Sequence, residues 1–91
     1  MDASRTMTVI APVIHMNGDR KETLLDGIRE AYQTIRKALN ALRACAPNAR
    51  NYYVVPGLFK QAIAQHTERC AHLQAVMDSL AAEADRIQKE V

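Results

Sequence analysis

The sequence predicts an all-α chain, an antiparallel two-helix hairpin with an extended N-terminal arm, and three observations predict it. Apolar residues recur at alternating intervals of three and four along two long stretches, Leu25 to Ala46 and Phe59 to Val91. That is the period of a coiled-coil seam. The segment 47–57, which runs from Pro47 through Pro56-Gly57, separates the two stretches. A connection of this kind returns the second helix antiparallel to the first at a shallow crossing angle. The composition agrees, because 48% apolar residues with only 4% aromatic ones suit helices better than sheets.

Residues 1–8 are polar and mixed and read as a flexible leader, ahead of a single domain over 9–91. The arm spans 9–18. Its first eight residues, Val9-Ile10-Ala11-Pro12-Val13-Ile14-His15-Met16, are β-branched and apolar around a proline, so they should be extended and packed against something without forming a central strand. Asn17-Gly18 makes a turn, and Asp19 with Glu22 three residues later is an N-cap with a capping-box partner.

Helix 1 is expected over 19–46, with Leu25, Ile28, Tyr32, Ile35, Leu39, Leu42 and Ala46 along its seam, and Pro47 ends it. Gly27 lies inside this pattern at a cost of about 1 kcal/mol relative to Ala, which suggests close approach of another backbone. The hinge spans 47–57. Helix 2 is expected over 58–90, with Phe59, Ile63, His66, Cys70, Leu73, Met77, Leu80, Ala84, Ile87 and Val91 on its seam. Counting back from the hinge sets Leu39 near His66, Ile35 near Cys70 and Tyr32 near Leu73. In that register helix 2 outruns helix 1 at the open end, where the arm would cover it.

A second apolar line on helix 1, Leu24, Ala31, Ala38 and Cys45, repeats every seven residues beside the seam. Two helices cannot bury both lines, so hairpins should pack on one another. Size points the same way, since a chain of 91 residues buries only about 60 to 65% of its unfolded surface. A homo-oligomeric helical bundle is therefore expected.

The net charge of +2 is too small to imply nucleic-acid binding by itself, and DNA binding through the basic line of helix 1, a third class of function, lacks a recognition motif. The longest apolar stretch, Val9 to Ile14, is broken by Pro12 and falls far short of the roughly 20 residues of a membrane span. No signal-peptide pattern is visible. Cys45 and Cys70 fall in expected helices and read as buried thiols of a reducing compartment. A cytoplasmic protein with no cofactor is expected.

The uneven placement of charge is more informative than its sum. The 37 residues from 31 to 67 contain no Asp or Glu, yet carry Arg36, Lys37, Arg43, Arg50 and Lys60, together with all three tyrosines. Arg29, Arg36, Arg43 and Arg50 recur every seven residues and lead to the hinge. Guanidinium groups hold phosphate or carboxylate in a forked geometry, neighbouring tyrosines stack on bases, and a helix N-terminus at Gly57 favours anions. The hinge is thus a candidate phosphate site, weighed evenly against a solvated basic face. His15 and Asn17 beside the start of helix 1 are a second polar group, with a turn and cap as the plainer reading. At about 1.5 Å per residue the two groups lie roughly 40 Å apart within one chain. Antiparallel packing of two hairpins would join them. Acidic residues at the open end, Asp19, Glu22, Asp26, Glu83, Asp85 and Glu90, favour such a pairing even without a ligand.

Catalysis has little support. There is no Gly-rich phosphate loop, paired-carboxylate cleft or Ser-His-Asp set. His66 and Cys70 share a helix face but His72 points elsewhere, which leaves zinc short of ligands.

The runs Ile14-His15-Met16-Asn17-Gly18 and Ala46-Pro47-Asn48-Ala49-Arg50-Asn51-Tyr52-Tyr53 resemble a group of small tailed-phage and prophage proteins. In that group an I-H-M-N-G start precedes a helix and a P-N-G-R-D-Y-Y turn follows it. Asp19, Ala49 and Asn51 stand where the group carries a hydroxyl residue, a glycine and an acid. The resemblance implies a phage accessory role, in the host cytoplasm, and no named activity.

The expected function is that of a non-enzymatic, homo-oligomeric protein whose intersubunit pockets bind a small anionic, nucleotide-like ligand, by analogy sequestering a host immune signal. The ligand-binding residues would be Arg43 and Arg50 on phosphate, Asn48, Asn51, Tyr52 and Tyr53 around it, and His15 with Asn17 from a neighbouring copy. The alternative is a structural or protein-interaction module with no small-molecule ligand.

Overall fold

In the computed structural model, which describes residues 7–90, the chain is all-helical apart from its arm and connection. Helix α1 spans Lys21–Ala44, a short 3-10 turn spans Ala49–Asn51, and helix α2 spans Leu58–Lys89. Residues 1–6 of the expected leader, and Val91 at the last seam position, lie outside the described residues.

Helix α1 starts later and ends earlier than the expected 19–46. The chain leaves the His15–Gly18 turn still extended at Arg20, which becomes the N-cap with no side-chain cap hydrogen bond. Asp19 therefore falls one residue outside the cap position, and the expected capping box does not form. Glu22 in the first turn still complements the positive end of the helix dipole. At the other end, Cys45 N–H bonds to Leu42 O at 3.0 Å and Ala46 N–H to Arg43 O at 3.2 Å. These short-range bonds tighten the last turn, and Pro47 excludes helical backbone at Ala46. Cys45 is thus an exposed C-cap residue, in contrast to the buried thiol expected.

The seam faces inward as the periodicity requires, with Leu39 of α1 and Met77 and Ile87 of α2 buried. Ala75, which the seam passes by, is buried as well. The register differs from the one counted back from the hinge. Lys21 Nζ donates to the Glu90 carbonyl, so the helices are flush at the open end. Leu42 shares a groove with Arg69 and Leu73, whereas Tyr32, expected beside Leu73, shares one with Ala81 and Ala84.

With 32 residues in α2 against 24 in α1, the longer helix overhangs by about 12 Å at 1.5 Å per residue. The overhang lies at the hinge end. The cause is the connection, which runs alongside α2 rather than turning back at once. Ile63, on the expected seam, has no α1 residue opposite it and is exposed.

The arm remains extended, and Arg86 Nη1 donates to Val9 O at 2.8 Å, anchoring it beside the last turns of α2. The resulting rod measures 62 × 25 × 17 Å, with a radius of gyration of 18.0 Å against about 12 Å for a compact domain of this length. Its 6994 Å² of accessible surface exceeds by about a third the area of a compact monomer of the same mass.

Candidate functional site

The hinge is a chain of turns closed by its own hydrogen bonds. Asn48 caps the 3-10 turn: its side-chain oxygen accepts from Arg50 N–H at 3.1 Å, and its carbonyl accepts from Asn51 N–H at 3.0 Å. Tyr52 N–H then bonds to Ala49 O, Val55 N–H to Tyr52 O and Leu58 N–H to Val55 O. Gly57 completes the reversal with φ 81°, a left-handed conformation that side chains oppose. One of the N–H groups at the start of α2 is therefore spent within the hinge.

Five of the eight expected site residues, Asn48, Arg50, Asn51, Tyr52 and Tyr53, sit together on this hinge. Arg43 lies in the last turn of α1. Both arginines are exposed and form no ion pair among the described residues. Tyr52 is half-buried because its ring packs against Phe59, 6.1 Å between centroids at 40°. It lines a shallow hollow with Leu58, Gln61, Ala62 and Gln65 of the overhanging part of α2. Those four residues were not anticipated as site residues, although their spacing marks one helix face. The arginines and Tyr53 do not line this hollow.

His15 and Asn17 lie at the opposite end of the rod. His15 Nδ1 accepts from Asn17 N–H at 3.3 Å and His15 O from Gly18 N–H at 3.2 Å. The imidazole folds over Gly18 so closely that a Cβ there would sit 2.9 Å from Nε2. The pair forms a self-contained turn within one chain, and the structure does not bring it to the hinge.

Two open apolar grooves flank the helices between these ends. One, of 540 Å³, is lined by Leu42, Gln65, Glu68, Arg69, His72 and Leu73. The other, of 290 Å³, includes Leu25, Ile28, Tyr32, Ala81 and Ala84. On α2, Cys70 Sγ lies 3.7 Å from His66 Nε2, while His72 Nε2 approaches Glu68 Oε1 at 3.5 Å. No group of three His, Cys, Asp or Glu residues able to hold a metal ion is present among the described residues. No helix among them is long and apolar enough to cross a membrane.

No protein-family model, curated protein or solved structure matches the chain.

Proposed function

We propose that the chain is a non-enzymatic helical interaction module that assembles with further copies of itself into a helical bundle. One observation carries this reading: a chain with 48% apolar residues buries just four of them among the described residues, Leu39, Ala75, Met77 and Ile87. A hairpin that thin gains little from its own core, and packing against a second copy supplies the missing burial. Charge supports the same pairing. Residues 31–67 hold five basic and no acidic residues, whereas 19–30 and 78–90 together hold eight acidic and five basic ones. Antiparallel copies set these unlike ends side by side. Light scattering and native mass spectrometry of the full chain test it: a discrete oligomer is expected, and a monodisperse single copy throughout the micromolar range defeats it.

A second reading is favoured by the exposed Arg43 and Arg50 beside two tyrosines in a stretch without acids. Here the assembled hinge binds a small anionic, nucleotide-like ligand, with Asn48, Asn51, Tyr52 and Tyr53 around it and His15 and Asn17 supplied by a neighbouring copy. A phage accessory role that sequesters a nucleotide immune signal fits this reading. It comes second because Arg43, Arg50 and Tyr53 line neither the two grooves nor the hollow beside Tyr52. Calorimetric titration with cyclic dinucleotides and ADP-ribose derivatives tests it. Arg50→Ala and Tyr53→Ala should abolish the heat while leaving assembly intact, and silence from the unaltered protein across the panel removes the ligand.

A further inference from the structure

The rod carries two uncovered apolar surfaces, one at each end. On the arm, Val9, Ala11 and Ile14 are half-buried, while Ile10, Val13 and Met16 are 84%, 70% and 97% exposed. The outward residues recur every third position, as on one edge of a polyproline II helix, and span about 19 Å at 3.1 Å per residue. The inner residues and the Arg86 bond to Val9 O hold the arm on its own hairpin, so the outer ridge is presented rather than free to fold inward.

At the far end, Tyr53 and Val54 are 76% and 72% exposed, with Val55, Leu58 and Ile63 exposed beside them. Successive turn hydrogen bonds fix this patch, so covering it requires little ordering of the chain. Clustered exposed apolar residues of this kind mark interaction surfaces.

We propose that the arm ridge of one copy docks on the hinge patch of a second copy, and the second copy's arm on the first copy's hinge. This rests on the self-assembly reading above and names the surfaces that carry it. Three observations select a second copy of this chain as the occupant. Both surfaces are apolar and each lacks a partner in its own chain. They lie at opposite ends of a rod 62 Å long, so an antiparallel two-fold pairing covers both, twice, with the same contact. The basic hinge half also meets the more acidic open end in that pairing. The arm therefore stays on its own hairpin through one face and joins a neighbour through the other. The docked arm also carries His15 and Asn17 toward Arg50 and Tyr53 of the neighbour.

The test uses full-length chains with Cys45→Ala and Cys70→Ala, one also carrying Val13→Cys and the other Val54→Cys. Mixed and gently oxidised, they should yield a disulfide-linked heterodimer that neither chain forms alone. Val13→Asp and Val54→Asp should each weaken self-association by about tenfold or more, as charges do when buried in an interface core. An unaltered protein that is a single copy in solution overturns this contact together with the self-assembly reading. An oligomer that persists without the heterodimer cross-link, or with undiminished affinity in both Asp variants, overturns the arm–hinge contact alone. The cross-link decides the matter even where an Asp variant folds poorly.

Discussion

Lys21 donates through Nζ to the carbonyl oxygen of Glu90, 69 positions away, and ties the first residue of α1 to the C-cap of α2. The contact fastens the open end of the hairpin, where the two helices are flush, and places a cation at the negative end of a helix dipole. Lys21→Ala should therefore destabilise the chain by about 0.5–1 kcal/mol. The loss should be local, read as faster hydrogen exchange at the amides of Ile87 to Glu90 with Leu39 unaffected.

The register makes two seam positions unequal. Leu39 is buried, and Leu39→Ala should cost about 2–5 kcal/mol, most of the stability of so small a chain. Ile63 faces no α1 residue, so Ile63→Ala should cost about 1 kcal/mol or less in the isolated copy. Urea titration at a concentration that holds the protein monomeric separates the two; equal losses would restore the register counted from the hinge.

Gly27 and Gly57 should respond to alanine in opposite directions. A Cβ at Gly27 meets nothing within 4 Å, so the close backbone approach expected there is not made within the hairpin. Gly27→Ala should stabilise by about 1 kcal/mol through helix propensity. At Gly57, with φ 81°, alanine should cost about 1–2 kcal/mol. Thermal unfolding of both variants gives the signs directly.

Asn48 holds the hinge through its bond from Arg50 N–H. Asn48→Ala should cost about 1 kcal/mol, the usual value of a lost side-chain cap. Helical circular dichroism should persist while limited proteolysis shifts to residues 46–57, and an unchanged cleavage pattern would show that the backbone turns hold the hinge unaided.

The arm has a comparable anchor in Arg86 and Val9. Arg86→Ala removes an exposed hydrogen bond and should change global stability by less than about 1 kcal/mol. Faster exchange at the amides of residues 9–14 is the expected signature.

Much of the hairpin was legible in the residues themselves. The seam period identified both helices, Pro47 and Gly57 bounded the hinge, and the start of α2 fell at the expected residue because helix periodicity and turn chemistry are local. The acid-free stretch and the tyrosine-bearing turn were equally plain, being properties of composition. Register was decided only in three dimensions. It depends on the path the connection takes, and Tyr52 lying on Phe59 carries that path along α2, which moves the overhang from the open end to the hinge. The exposure of Ile63 was likewise settled there, since a sequence repeat states which faces are apolar but not what comes to cover them.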